Sequence, residues 1–252
     1  MTDALSWPSG HDRIILDSTD STLSEAQRRH AAGINQPTWV LALHQTQGRG
    51  RRGRPWSMPK GNFAANLILP ITDTPDRIAL RSFTTALALY DACVAATGRT
   101  DSLALKWPND VLLNGGKLAG ILLETLQSGG HVTAVSIGIG VNLVAAPGAN
   151  EVEERALRPV ALTEQGPAPS PEDFLTFLAA AFARYEAQFL SYGFAPIRTA
   201  WLTRAAHLGD QVTARTGTSE TIGTFETIDD HGQIVLTTSQ GRQTIAAADI
   251  FF

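Results

Sequence analysis

The chain of 252 residues has a single cysteine, Cys93, and few aromatic residues, at 7% of the total. One cysteine excludes an internal disulfide framework and fits a reducing compartment. We therefore expect a small buried residue at Cys93 and a cytoplasmic protein. No uninterrupted apolar run approaches the roughly 20 residues that cross a bilayer, and the first residues have no basic flank before an apolar stretch. We expect neither a membrane span nor a signal peptide.

Lysine is also scarce, with three lysines against seventeen arginines and a net charge of −4. A negative net charge argues against a protein built as a whole to coat nucleic acid. The arginines are unevenly spread, because four of them fall within six residues. These four are Arg49, Arg51, Arg52 and Arg54. Such a cluster predicts a local anion.

Apolar periodicity predicts a mixed α and β domain over residues 1–205 and a small β domain over residues 206–252. In the first domain, strands are predicted at residues 13–16, 38–43, 63–69, 103–107, 110–113, 118–124 and 132–139. Helices are predicted at 23–32, at 76–97 and from Pro171, where Ser170 and Asp173 form a capping box. In the second domain, short strands are predicted at 211–215, 222–228, 233–238 and 242–246, typical of a small barrel or sandwich.

Residues 45–56, Gln-Thr-Gln-Gly-Arg-Gly-Arg-Arg-Gly-Arg-Pro-Trp, are the most informative stretch. Gly48, Gly50 and Gly53 match the spacing of a dinucleotide-binding loop, but Pro55 and a strand pattern follow where that fold needs a helix. Glycines let backbone N–H groups approach a ligand, and arginines supply bidentate donors to carboxylate or phosphate. The loop alone favours a nucleoside triphosphate, with nucleic-acid phosphate and a solvated surface loop as alternatives.

Residues 106–124 contain two of the three lysines. Lys106 follows Leu103 and Leu105, so it should end a strand with its ammonium at the rim of the sheet. A lysine held there is a natural cation for a carboxylate. The alternative is that Lys106 merely extends to solvent while Asn109 and Asp110 cap a turn.

Residues 136–143, Ser-Ile-Gly-Ile-Gly-Val-Asn-Leu, offer a weaker signal. Gly138 and Gly140 permit either close packing or the approach of a flat ligand. The amide of Asn142 would suit the edge of a base.

Taken together, these segments resemble the biotin protein ligases. The shared patterns are G-R-G-R-R-G-R-x-W at 48–56, K-W-P-N-D at 106–110, G-K-L-A-G-I-L-x-E at 116–124 and G-x-G-x-N at 138–142. Their order and spacing also match over about residues 17–143. The resemblance implies an α+β fold, with a mixed sheet and helices like the catalytic domain of class II aminoacyl-tRNA synthetases, and a small C-terminal SH3-like β-barrel.

The resemblance further implies an ATP-dependent ligase that adenylates biotin and transfers it to a lysine of a biotin carboxyl carrier protein. The substrates would be ATP and biotin, with Mg²⁺, and the carrier would belong to acetyl-CoA carboxylase or to another biotin carboxylase. A lipoate-type protein ligase and a non-enzymatic nucleotide or biotin sensor are the alternatives. We expect a monomer or homodimer, with neither nucleic acid nor membrane as partner. Because the catalytic pattern starts near Arg13, a repressor role like that of bifunctional relatives is not expected.

Site residues follow from the resemblance by position. Lys106 and Arg51 would be catalytic. The biotin-binding set would be Ser21, Thr22, Leu23, Gln45, Arg49, Gly50, Arg51 and Lys106. The nucleotide-binding set would be Arg51, Arg52, Arg54, Trp56, Asn109, Lys117 and Asn142. The sequence does not fix the metal ligands.

The family's Asp-Ser-Thr-Asn turn has two candidate positions, because Asp-Ser-Thr occurs at residues 17–19 and again at 20–22. We prefer the second copy, since the family's helix usually continues to an alanine at the distance of Ala26. The asparagine is absent in both registers, replaced by Leu23 in the second and by Asp20 in the first. One biotin contact of the family is therefore missing.

Overall fold

The computed structural model describes residues 6–148, 156–217 and 219–252. A sheet of seven strands forms the larger part, in the order β1-β2-β3-β7-β6-β5-β4. Its strands are β1 (Asp12–Leu16), β2 (Thr38–Ala42), β3 (Phe63–Pro70), β4 (Leu103–Lys106), β5 (Asp110–Leu113), β6 (Gly116–Ser128) and β7 (His131–Val141). The pair β1–β2 is parallel and the other pairs are antiparallel. This confirms the predicted α+β class with a mixed sheet.

Helices cover the two faces of this sheet unequally. They are α1 (Thr22–Ala31), α2 (Pro75–Ala79), α3 (Arg81–Thr97), α4 (Pro171–Tyr192) and α5 (Phe194–Leu202). Trp39 packs edge-on against Phe182 of α4, with ring centroids 5.8 Å apart. The next residue, Val40, points to the opposite face and clusters with Ala26 of α1. Because side chains alternate along a strand, one face carries the main core and α1 packs against the other.

The long helix predicted at 76–97 is in fact two helices that meet at Leu80. The break coincides with Arg81, a buried residue whose guanidinium lies 2.7 Å from Asp73 and 2.8 Å from Glu186 of α4. A buried guanidinium needs such partners, and sequence periodicity does not reveal them.

The stretch Pro75–Thr97 has the length and mean hydropathy of a membrane span, although 72% of its most apolar window is buried inside the protein. Its burial is that of a core helix. Cys93 lies within this core and is fully buried, as predicted, and burial raises the pKa of its thiol to about 12.

The C-terminal part forms an antiparallel sheet in the order β11-β10-β9-β8-β12. Its strands are β8 (Gln211–Thr216), β9 (Ser219–Ile228), β10 (Ile234–Thr238), β11 (Gly241–Ile245) and β12 (Asp249–Phe251). The first four were predicted, but β12 was not, because three residues are too few to show periodicity. Helix α5, which contains Pro196, was also missed. The indole N–H of Trp107 donates to the Gly232 carbonyl at 2.9 Å and ties the two sheets together.

Candidate active site

One row of residues crosses the sheet on the face that α1 covers. In register from β2 to β4, the row is Ala42, Ala64, Gly140, Gly120, Asp110 and Lys106. Residues directly opposite each other on neighbouring strands share a face. The row is therefore smooth at one end, where only alanine and glycine stand, and charged at the other. The charged end, at Lys106, can therefore attract an acidic group.

Lys106 ends β4, as predicted, and only 11% of its side chain is exposed. Burial lowers the pKa of its ammonium from the ordinary lysine value, while the nearby Asp110 opposes that shift. Asp110 lies 4.0 Å from Lys106 and 2.8 Å from Lys117. Because two ammonium groups share one carboxylate, this end of the row has a net positive charge.

The glycine-arginine loop folds back on itself rather than opening a helix. Gly50 N–H donates to the Arg54 carbonyl at 2.8 Å, around a 3₁₀ turn at Arg51–Gly53. Arg52 and Gly53 have positive φ angles of 57° and 72°. Glycine adopts such angles freely and other residues do so rarely. The structure thus agrees with the rejection of a dinucleotide-binding loop.

Three of the four loop arginines converge on Asp249 of β12. Its carboxylate lies 3.9 Å from Arg51, 2.7 Å from Arg52 and 3.2 Å from Arg54. Arg51 also donates to the Asn109 side-chain oxygen at 3.3 Å, and burial lowers the pKa of its guanidinium. Donors that point to one place can bind a polyphosphate.

Arg49 pairs with a different carboxylate from the other three loop arginines. Its guanidinium makes two parallel hydrogen bonds to Glu124 of β6, at 3.0 and 3.1 Å. This bidentate pair fixes the first limb of the loop to the sheet. The side chain of Arg49 is therefore separate from the cluster of three arginines.

The predicted biotin-binding residues at the start of α1 lie together. Ser21 caps the helix and accepts a hydrogen bond from Ser24 N–H. Thr22 N–H donates to the side-chain oxygen of Gln45 at 2.7 Å. Ser21, Thr22 and Leu23 are buried, whereas Ser18 of the first Asp-Ser-Thr copy is exposed. The burial of the second copy is consistent with our preference for it, and its contact with biotin stays a prediction.

The two glycines of β7 accommodate side chains of the protein itself. A Cβ on Gly140 would come within 2.4 Å of the Trp56 ring, and a Cβ on Gly138 would come within 3.0 Å of Leu23. Trp56 thus lies over the smooth end of the row. Asn142 is turned away from it, because its amide donates to the Val160 carbonyl at 3.1 Å. Its adenine contact stays a prediction.

Gly140→Ala should displace Trp56, because the new methyl group has no space beneath the ring. We expect the KM for ATP to rise by about tenfold, the cost of forcing a close-packed contact apart. Steady-state pyrophosphate exchange measures it. Gly138→Ala is the matched control and should leave the KM for ATP within about twofold, since its Cβ meets Leu23. An unchanged KM in Gly140→Ala would mean that Trp56 does not bind the nucleotide.

A cavity of about 230 Å³ adjoins the loop. Its lining includes Arg51, Pro108, Asn109 and Leu122, together with Ala246 and Ala247 between β11 and β12. The larger cavity, of about 730 Å³, is lined by residues of α3 and α4 such as Asp91 and Phe177. It contains none of the predicted site residues, so the smaller cavity is the relevant one.

Comparison with known proteins agrees with this geometry. The sequence profile of the biotin/lipoate A/B protein ligase family matches residues 14–142, and that of the biotin protein ligase C-terminal domain matches residues 207–252. The biotin–[acetyl-CoA-carboxylase] ligase of Paracoccus denitrificans is 56% identical over 94% of this chain and 99% of its own length. The chain belongs to the biotin protein ligase family.

More distant members of the family also match over nearly the whole of this chain. The bifunctional ligase/repressor BirA of Bacillus subtilis is 32% identical over 95% of this ligase and 72% of its own length. The structure of the Aquifex aeolicus biotin protein ligase, solved with biotin and ATP, has a TM-score of 0.78 and 24% identity. It covers 95% of this ligase and 97% of its own chain, and it shows a common fold.

Sequence reasoning missed two residues of the site. Glu124 ends the pattern G-K-L-A-G-I-L-x-E, so its position was noted, but its pairing with Arg49 was not. Asp249 lies 197 residues from Arg52 in the chain, and no local pattern marks it. Among the described residues, no group of three His, Cys, Asp or Glu side chains is placed to hold a metal ion.

Proposed function

We propose that this ligase activates biotin with ATP to form biotinyl-5′-AMP and then transfers biotin to a lysine of a carrier protein. The observation that carries the proposal is Lys106 at the charged end of the Ala-Gly row, beside a loop whose guanidinium groups converge. The Paracoccus relative, a biotin–[acetyl-CoA-carboxylase] ligase at 56% identity, supports the same reaction.

The first step must bring a carboxylate to a polyphosphate. At about 4 Å and an effective dielectric near 20, two unit charges of like sign cost on the order of 4 kcal/mol. Lys106 and Arg51 offset this repulsion at the biotin carboxylate and the α-phosphate. A carboxylate oxygen attacks the α-phosphorus, the bond to the β-phosphate oxygen breaks, and pyrophosphate leaves. Arg52 and Arg54 bind the phosphates that leave.

The remaining contacts orient the two substrates. The ureido ring is bound by the side chains of Ser21, Thr22 and Gln45 and by backbone groups of Arg49 and Gly50. Leu23 adds apolar surface to this pocket. The nucleotide would also contact four further residues, Trp56, Asn109, Lys117 and Asn142. Support comes from the burial of Ser21, Thr22 and Leu23 and from Trp56, which lies over Gly140 of β7.

In the second step, the neutral amine of a carrier lysine attacks the acyl carbon of biotinyl-AMP. An amide bond forms, AMP leaves, and the amine's proton passes to solvent. Lys106 stabilises the oxyanion that develops. The mixed anhydride hydrolyses in water, so closure of the glycine-arginine loop would protect it.

Magnesium would enter with ATP. Mg²⁺ prefers oxygen ligands, usually keeps several waters and needs only one or two carboxylates of the protein. Asp110 and Asp249 are two carboxylates of the site that would supply such ligands. They fit that limited demand, and the ion would neutralise charge on the leaving phosphates.

We propose the biotin carboxyl carrier protein of acetyl-CoA carboxylase as the acceptor, as the name of the Paracoccus relative suggests, with carrier domains of other biotin carboxylases as further candidates. We also propose a cytoplasmic location, a monomeric or homodimeric state, and boundaries near residue 205 for the two domains.

One assay tests the proposal. Purified protein, biotin and labelled ATP should give biotin-dependent exchange of pyrophosphate into ATP, and an added carrier domain should become biotinylated. Exchange that depends on lipoate instead of biotin would favour the lipoate ligases. Nucleotide binding without exchange would favour a non-enzymatic nucleotide or biotin sensor. In such a sensor Lys106 would have no catalytic role.

The lowered pKa of Lys106 predicts a pH dependence. Its ammonium loses the proton at a lower pH than an ordinary lysine, so kcat/KM for biotin should fall on the alkaline side as pH rises through that lowered pKa. Stability should change in the opposite direction. The unfolded chain binds the proton more tightly, so stability rises with pH between the two pKa values.

Lys106→Arg provides the control for this pH dependence, because a guanidinium remains protonated throughout the range. Any activity that this variant retains should lack the alkaline fall. An alkaline limb that persists unchanged in Lys106→Arg would assign it to another group.

A further inference from the structure

A second row on the same sheet face contains a buried amide. In register from β2 to β6, the row is Val40, Asn66, Gly138 and Leu122. Asn66 is fully buried, and its amide nitrogen donates to the hydroxyl of Ser136 at 2.8 Å. Its side-chain oxygen has no hydrogen-bond partner among the described residues.

A buried carbonyl oxygen without a donor is unfavourable, because it has lost its hydrogen bonds to water. The neighbouring Asn62 shows the ordinary arrangement. Its side-chain oxygen accepts from the backbone of Val144 and Ala145, and its amide donates to the Ala145 carbonyl. Asn66 therefore differs from a structural asparagine in having one acceptor left over.

The position of Asn66 places this acceptor beside the proposed biotin site. Its register partner Gly138 is the residue against which Leu23 packs. Ser21 and Thr22 precede Leu23, and Ala64 of the smooth row lies two residues away on the same strand face. The side-chain oxygen of Gln45 is already engaged by Thr22 N–H.

We propose that Asn66 is a specificity-determining residue that accepts a hydrogen bond from a ureido N–H of biotin. The proposal rests on the function proposed above. A cyclic urea has two N–H donors and one carbonyl, so its pocket needs an acceptor as well as donors. Asn66 provides that acceptor from the sheet, in register with Gly138, against which the apolar side chain of Leu23 packs.

The test compares Asn66→Leu with Asn62→Ser in pyrophosphate exchange. Asn66→Leu should raise the KM for biotin about tenfold, the effect of one lost hydrogen bond. Its KM for ATP should stay within about twofold, and its Tm should fall moderately because the buried Ser136 hydroxyl loses the amide donor. Asn62→Ser should lower Tm and leave the KM for biotin unchanged. Should Asn66→Leu fail to fold, Asn66→Ser, whose hydroxyl lies further from the ligand, answers the same question.

Biotin methylated at one ureido nitrogen or the other supplies a second readout, which a merely structural role would not move. One of the two analogues should lose about tenfold more affinity with the wild type than with Asn66→Leu. Equal losses in both proteins for both analogues would overturn the proposal. So would a folded Asn66→Leu or Asn66→Ser whose KM for biotin lies within twofold of the wild type. Absence of biotin-dependent exchange in the wild type would instead overturn the proposed function.

Discussion

Lys106→Ala should lower the rate of biotin adenylation by about a thousandfold, while the protein remains folded. The ammonium is the cation at the end of the sheet row where the biotin carboxylate would meet ATP. Removing one charge from such a meeting point costs about 4 kcal/mol at an effective dielectric near 20, which corresponds to about a thousandfold in rate. Biotin-dependent pyrophosphate exchange measures the loss directly.

Folding should survive this substitution because the ammonium is buried and its pKa is lowered, so charge at this position is unfavourable for the folded state. Asp110 keeps Lys117 at 2.8 Å as a partner. The Tm should therefore stay level or rise slightly. Lys60→Ala, at an exposed lysine, is the matched control and should behave as wild type. Near-normal exchange by Lys106→Ala would remove Lys106 from the mechanism.

Arg51→Ala should make biotinyl-AMP leave the protein roughly 10 to 100 times faster. Arg51 is the loop arginine that contacts both Asn109 and Asp249, and most of its side chain is withdrawn from solvent. A charge-assisted hydrogen bond to the phosphate of the intermediate contributes about 1.5–3 kcal/mol. Loss of that bond would shorten the residence time of the intermediate by the corresponding factor.

Rapid gel filtration after adenylation separates retained from released intermediate, and unspecific labelling of a bystander protein reports the released fraction. Arg99→Ala removes an exposed arginine that donates to Gln165, and it should retain the intermediate as the wild type does. If Arg51→Ala also retains it, the loop does not enclose the intermediate and its closure has no part in protecting the anhydride.

Local chemistry explains why so much of the fold was predictable. Ser170 caps α4 as predicted and accepts from Asp173 N–H at 3.1 Å, while its hydroxyl donates to the Asp173 carboxylate at 2.7 Å in place of the reciprocal bond of a capping box. Strand β5 has the predicted bounds, because a turn-forming Pro-Asn precedes it and Asn-Gly follows it. The break at Leu80 and the short strand β12 were not predictable, since both depend on partners distant in sequence.

The residue patterns identify the chemical groups of the site: a loop dense in guanidinium groups, a lysine that ends a strand, and glycines spaced along β7. How these groups meet depends on the tertiary structure. Strand register places Lys106, Asp110, Gly120 and Gly140 in one row, and Asp249 and Glu124 divide the arginines into two groups. Register and long-range pairing depend on packing across the whole sheet, whereas residue patterns report only the structure of their own segment.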